Sequence, residues 1–157
     1  MNRLAKTVCI AAGLLSSSPS FAATTALPKS VQRALDRAIA VGDPIAIGQL
    51  AGGNAMLSSD IVVLAVTRRP DLAARIAAAA AGNVPQVAPQ LAAAAATADP
   101  KAAAEIAAAV TLAVPAARGA VADAVVGTLP PNERMAAAGR IHAAVEAVEG
   151  PSLDDPD

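Results

Sequence analysis

The chain of 157 residues carries 12 basic and 13 acidic residues, a formal net charge of −1, and is 55% hydrophobic with a single aromatic residue, Phe21. The near absence of aromatic rings and the balanced charge disfavour nucleic-acid binding and glycan sites that stack on sugar rings. One histidine and one cysteine leave little material for a metal centre or for nucleophilic catalysis.

The first 22 residues have the layout of a secretory signal peptide. Arg3 and Lys6 form a basic start, a short apolar run follows, and Ser20 and Ala22 place small residues where signal peptidase requires them. The apolar run falls well short of the ~20 residues that span a bilayer, which argues against a membrane anchor. We therefore expect cleavage after Ala22 and export by a bacterium to the periplasm or the medium, without Cys9.

Two helices are predicted before the regular part of the chain. Residues 27–41 and 44–51 carry apolar residues at helical spacing, and Asp43 before Pro44 supplies an N-cap. The Gly-Gly-Asn sequence at 52–54 is typical of a turn. The earliest predicted elements are therefore two short helices that pack side by side.

A basic stripe lies on the first of these helices. Lys29, Arg33 and Arg37 recur at i, i+4 and i+8, a spacing that places them on one helix face. We predict a solvated face, with contact to an anionic lipid surface or a partner as the alternative. Arg68 and Arg69 are predicted to interact with the C-terminus of a helix through its dipole.

The second half of the chain repeats every fifteen residues. Proline occupies positions 70, 85, 100, 115 and 130, and Ala55 takes the same position in an earlier unit. Six and ten residues after it come apolar side chains, and one and five residues after it come mostly polar ones, so each unit has a buried and a solvated helix face. The apolar set is Ile76, Leu91, Ile106, Val121, Ala80, Ala95, Val110 and Val125, and the polar set is Asp71, Arg75, Gln86, Gln90, Lys101 and Glu105.

Proline suits the first position of a helix and breaks a helix that runs through it. Each unit is therefore predicted to hold one helix of about eleven or twelve residues and a short turn, with Asp99 capping one helix and Pro89 near the start of another. Turns this short make neighbouring helices antiparallel. The predicted fold is all-α, one domain over residues 23–150 with about eight short antiparallel helices, either an open α-solenoid or a closed bundle. Residues 151–157 are predicted to be a disordered acidic tail.

Candidate catalytic residues are scattered. His142 is the single histidine, and none of the serines downstream of the signal stands in a nucleophile-elbow sequence. Those serines are Ser30, Ser58, Ser59 and Ser152. Asp154, Asp155 and Asp157 could bind calcium weakly but fit a solvated tail better. We predict no enzyme, no cofactor, no metal site and no small-molecule substrate.

These observations favour an exported helical-repeat protein with a structural or protein-interaction role. The alternative is a protein of the cell envelope or membrane surface that uses its alanine-rich faces and basic first helix. The partner is an unidentified protein or a second copy of the chain. In the latter case the apolar ends of the array, marked by Leu129 and Val145, are the expected contacts.

Overall fold

The computed structural model describes residues 27–149, and every regular element in this range is helical. The eight α-helices are α1 (Lys29–Val41), α2 (Pro44–Gly53), α3 (Ser58–Arg68), α4 (Ala73–Asn83), α5 (Ala88–Ala98), α6 (Ala103–Ala113), α7 (Arg118–Thr128) and α8 (Pro131–Glu146). This confirms the predicted all-α array of about eight helices. The predicted signal peptide (residues 1–22) and acidic tail (residues 151–157) lie outside the described residues.

Each repeat begins with a three-residue 3-10 turn rather than with the α-helix. These turns are Ala55–Leu57, Pro70–Leu72, Pro85–Val87, Pro100–Ala102 and Pro115–Ala117. The α-helix starts at the next residue and runs for 11 residues in α3 to α7. The predicted helix length is confirmed, whereas the predicted helix start at proline is wrong. The reason is that the third turn residue donates its N–H to the carbonyl of the residue before proline, as from Leu72 to Arg69 at 3.0 Å.

A single residue links each helix to the following turn in the same backbone conformation. The five linking residues are Asn54, Arg69, Val84, Asp99 and Val114, with φ between −132° and −137° and ψ between 58° and 85°. Proline disfavours helical geometry in the residue before it, which explains the helix end at Arg69, Val84, Asp99 and Val114. Asn54 precedes Ala55 and takes the same conformation without a proline. Across Asn54 the chain direction changes by 116° between Pro44–Gly53 and Ala55–Arg68. Since the linking conformation recurs, we expect a similar change of direction at each link along the array.

The helices form two layers. α2 packs on α4, α4 on α6 and α6 on α8 in one layer, while α3 packs on α5 and α5 on α7 in the other, with α1 beside α3. Consecutive helices contact each other across the layers. In the described part of the chain no substantial contact joins α1 and α2 to α7 and α8. The array is therefore open, which resolves the choice between solenoid and closed bundle.

Helices of both layers bury the same positions. The residues six, seven and ten places after the start of the turn are buried in all of α3 to α7. The predicted polar stripe, by contrast, is exposed throughout. Because odd and even helices use identical faces and identical links, the structural repeat is the single fifteen-residue unit and not the thirty-residue hairpin.

Side chains and a turn hold the first two helices in place. The Asp43 carboxylate accepts from the N–H groups of Ile45 at 2.9 Å and Ala46 at 3.1 Å, which confirms the predicted cap of α2. The other predicted cap lies further along the chain, where the Asp99 carboxylate accepts from the Lys101 N–H at 3.2 Å before the turn Pro100–Ala102. Gly42 ends α1 with a φ of 73° in the left-handed region, where glycine is favoured. The turn predicted at 52–54 is shorter than expected, because α2 continues through Gly53.

Helices α2 and α4 approach each other closely through a glycine. A Cβ atom on Gly48 would lie 2.6 Å from the backbone carbonyl carbon of Ala79, and one on Gly52 would lie 2.9 Å from the Cβ of Asn83. The two glycines stand four residues apart, as do Ala79 and Asn83, so small residues face each other along the contact. Only a glycine permits this separation at position 48.

Candidate interaction surfaces

The candidate catalytic residues lie apart in the array. Ser30 is in α1, Ser58 in α3 and the exposed His142 in α8, which is at the opposite end from α1. Ser58 is buried and donates its hydroxyl to the Ala55 carbonyl at 2.8 Å, so it serves the start of α3. Within residues 27–149 no group of three or more His, Cys, Asp or Glu residues could hold a metal ion.

The antiparallel array has two edges of different character. The junctions α1–α2, α3–α4, α5–α6 and α7–α8 lie along one edge. The first three segments (residues 42–45, 68–72 and 98–102) contain charged residues, and at the fourth Glu133 and Arg134 stand in the first turn of α8. We call it the charged edge. The junctions α2–α3, α4–α5 and α6–α7 lie along the opposite edge. Their segments (residues 52–57, 82–87 and 112–117) contain no Asp, Glu, Lys, Arg or His, although Arg118 follows the third segment as the first residue of α7. We call this the uncharged edge.

Two arginines of the charged edge connect α1 to α3. Arg68 forms an ion pair with Asp36, and Arg69 donates to the Ile39 carbonyl at 3.3 Å. The predicted helix-end interaction therefore exists, but the carbonyl that Arg69 contacts belongs to α1. Arg69 also binds Asp71, with its Nε 2.9 Å from one carboxylate oxygen and its Nη2 2.8 Å from the other. These hydrogen bonds lower the pKa of Asp71 below its ordinary value of 3.8.

The uncharged edge exposes large apolar side chains. Met56 is 97% exposed and Leu112 is 69% exposed. Two amide side chains of this edge bond to their own helices, from Asn54 to the Leu50 carbonyl at 2.9 Å and from Asn83 to the Ala79 carbonyl at 2.8 Å. This surface was not predicted, although the apolar residues one and twelve places after the turn start, on the exposed side of the helix, could have indicated it.

The basic stripe on α1 is exposed. Lys29, Arg33 and Arg37 all face solvent, as predicted for this helix face. At the end of the same helix Val41 is 78% exposed, and beyond the Gly42 turn Ile45 is 64% exposed. Val41 continues the four-residue spacing of Lys29, Arg33 and Arg37, and Ile45 follows it on α2.

The two residues predicted to mark the C-terminal end of the array are buried. Leu129 is 4% exposed and Val145 is 2% exposed, because α8 folds back onto α6. The prediction that these residues mark an apolar end face is therefore wrong. Between α6 and α8 lies a shallow depression with Lys101, Glu133 and Arg140 at its rim. Charges of both signs there give no selectivity for either sign of ligand.

No family model, no curated protein and no solved structure matches this chain. Within residues 27–149 no single helix is both long and apolar enough to cross a bilayer. Judged by length and composition alone, the bent pair Pro44–Gly53 and Ala55–Arg68 passes that test. The two candidate surfaces are therefore described by their own chemistry: the uncharged edge and the exposed face of α1.

Proposed function

We propose that this protein is an exported helical-repeat scaffold that binds a protein partner along its uncharged edge. The observation that carries the proposal is that three junctions of one edge lack any ionisable residue while Met56 and Leu112 are 97% and 69% exposed. Exposed apolar side chains grouped on one side of a molecule mark contact surfaces.

The chemistry of the edge suits an aliphatic partner surface. Methionine is flexible and polarisable, so Met56 can adapt to side chains of different shape. Leu57, Val87 and Val114 are half-buried, one at each junction of this edge, and add apolar area along it. Because the amides of Asn54 and Asn83 already bond to their own helices, a partner gains most from apolar contact there.

The edge is rigid as well as apolar. At the α4–α5 junction the Val84 N–H donates to the Ala80 carbonyl at 3.0 Å, and the Val87 N–H donates to the Val84 carbonyl at 3.1 Å. The equivalent pair of bonds recurs at the α6–α7 junction. A surface fixed in this way loses little conformational entropy when it binds, and extended faces of this kind are how repeat arrays usually act.

The proposal includes an exported location and a non-catalytic role, both supported on sequence grounds. The signal-like start of the chain supports a periplasmic or extracellular location. The scattered positions of His142 and the serines support a binding role over an enzymatic one.

Photo-crosslinking tests the proposed function. A photoreactive amino acid is placed at Met56, or at Met135 of α8 as the control, since Met135 is 90% exposed but outside the edge. The variants are expressed in the source organism and irradiated in intact cells. We expect one discrete protein adduct at position 56, its loss when Leu112→Lys is added, and none at position 135. Equal adducts at both positions, or none at position 56, would contradict the proposal.

A second candidate function is contact with the membrane surface of the cell envelope. The exposed basic stripe of α1 favours it, and it is independent of the uncharged edge.

A further inference from the structure

We propose that α1 binds the headgroups of an anionic phospholipid surface through Lys29, Arg33 and Arg37. These side chains stand at i, i+4 and i+8, so their Cα atoms span about 12 Å along the helix. All three are exposed, and the buried residues Val31, Leu35 and Ile39 hold the opposite face of α1 against the array. The helix thus presents its basic stripe outward.

Within residues 27–149 no carboxylate forms an ion pair with this stripe. The one acidic residue of α1, Asp36, is on the adjacent stripe and pairs with Arg68 of α3. Arg69, the residue next to Arg68, pairs with Asp71. The three cations of the stripe therefore keep their charge for an external anion, and each basic residue close to an anionic membrane strengthens binding by roughly fivefold.

Apolar side chains adjoin the stripe. Val41, four residues after Arg37, is 78% exposed, and Ile45 is 64% exposed just beyond the Gly42 turn. Basic residues beside exposed aliphatic ones are typical of helices that lie in the headgroup region and insert a few apolar side chains. This combination favours a lipid surface over a purely acidic protein, which would not need the aliphatic residues.

The distribution of charge along the chain orients the molecule. Residues 23–41 contain three basic residues and one acidic residue, whereas residues 42–157 contain seven basic and twelve acidic residues. An anionic surface attracts the first segment and repels the remainder. Since screening limits both effects to about 8 Å at physiological salt, the contact is confined to α1. The array would then project from the membrane with its edges free.

Vesicle flotation tests the proposal with the chain from Ala23 onward, which retains every described residue. The vesicles are phosphatidylcholine alone or mixed with phosphatidylglycerol, at low salt and at about 0.5 M salt. The test variant is Lys29→Gln, Arg33→Gln and Arg37→Gln. The matched control is Arg75→Gln, Lys101→Gln and Arg140→Gln, which removes the same charge from exposed positions elsewhere. Circular dichroism checks that both variants keep the helical fold.

We expect the parent chain to float with anionic vesicles at low salt and to be released by high salt, and not to float with neutral vesicles. The α1 variant should lose roughly a hundredfold in partitioning, and the control less than about fivefold. The double substitution Val41→Asn with Ile45→Asn leaves the charge unchanged. It should still weaken binding to anionic vesicles, because it removes the two exposed aliphatic side chains. Failure of the parent to bind anionic vesicles, or equal losses in both charge variants, would overturn the proposal. The crosslinking result at Met56 does not depend on either outcome.

Discussion

Thr111 is a hydroxyl-bearing side chain in a core position. It is fully buried near the end of α6, and its hydroxyl has no hydrogen-bond partner in the part of the chain that the structure describes. The equivalent residues of α4 and α5 are Ala81 and Ala96. Leaving a buried polar group without a partner costs about 1–3 kcal/mol.

We therefore predict that Thr111→Val raises the free energy of unfolding by about 1–2 kcal/mol, because valine has the same shape without the hydroxyl. Urea unfolding followed by circular dichroism measures the change. Thr97→Val is the control, since the Thr97 hydroxyl is exposed and donates to the Ala93 carbonyl at 2.8 Å. Its effect should stay within about 0.5 kcal/mol. A loss of stability in Thr111→Val would contradict the interpretation.

Asp71 makes the stability of the array depend on pH. Its hydrogen bonds from Arg69 lower the pKa of the folded carboxyl below 3.8. A depressed folded pKa contributes stability that is complete above the unfolded pKa and disappears as the pH falls through the folded pKa.

Asp71→Asn should therefore lower the urea midpoint at neutral pH and differ less from the parent as the pH falls from about 5 to about 3. Parallel titrations of Asp123→Asn, an exposed change in α7 outside any ion pair, supply the comparison. A difference between Asp71→Asn and the parent that stays constant over this pH range would show that the ion pair is not its cause.

At the scale of elements, the α2–α4 contact depends on the absence of a side chain. Gly48→Ala would place a Cβ 2.6 Å from the Ala79 carbonyl carbon, closer than atoms can approach. We predict that this substitution lowers the free energy of unfolding by about 1–3 kcal/mol, because the backbone of Ala79 cannot move aside as a flexible side chain can.

Gly82→Ala in α4 provides the matched control. Nothing lies within 4 Å of a Cβ at that position, and the residue is helical. It should stabilise the protein by about 0.5–1 kcal/mol through the lower backbone entropy of alanine. If the close approach is real, the midpoint temperature of unfolding should fall in Gly48→Ala and rise in Gly82→Ala. Shifts of the same sign in both variants would contradict it.

Much of each helix could be predicted from the chain, and the deviations have local causes. The proline period and the apolar stripe predicted the length and buried face of α4 to α7. The sequence could not reveal the 3-10 turns, because proline fits the first position of either helix type. The role of Gly48 could not be predicted, because it depends on the position of Ala79 in the neighbouring helix α4.

At the scale of the molecule, identical links at Asn54, Arg69, Val84, Asp99 and Val114 imply that one operation builds the array. Stability should then be a sum over units and their neighbours. We predict that deleting residues 85–99, which joins Val84 to Pro100, leaves a folded array with seven α-helices.

Circular dichroism and cooperative urea unfolding check this deletion. Removal of residues 85–114, two whole units, serves as the reference. If the two-unit deletion folds and the one-unit deletion does not, the hairpin is the repeat and the equivalence of the two layers is wrong.

The open shape and the candidate surfaces depend on long-range arrangement and could not be predicted. The same fifteen-residue pattern is compatible with an open or a closed array, because both bury the same stripe. Likewise, Met56 and Leu112 are 56 residues apart in the chain, and only the alternation of edges places them on one side. The basic stripe of α1 was visible beforehand because its three residues share one helix.

Because successive junctions alternate between the two edges, the residues that share an edge depend on whether the number of units between them is odd or even. Gain or loss of one unit leaves the backbone regular but sends every later junction to the opposite edge, so Leu112 would part from Met56. Gain or loss of two units restores the arrangement. Natural length variants that keep the proposed binding surface should therefore differ by even numbers of units, even though we predict that folding alone tolerates odd ones.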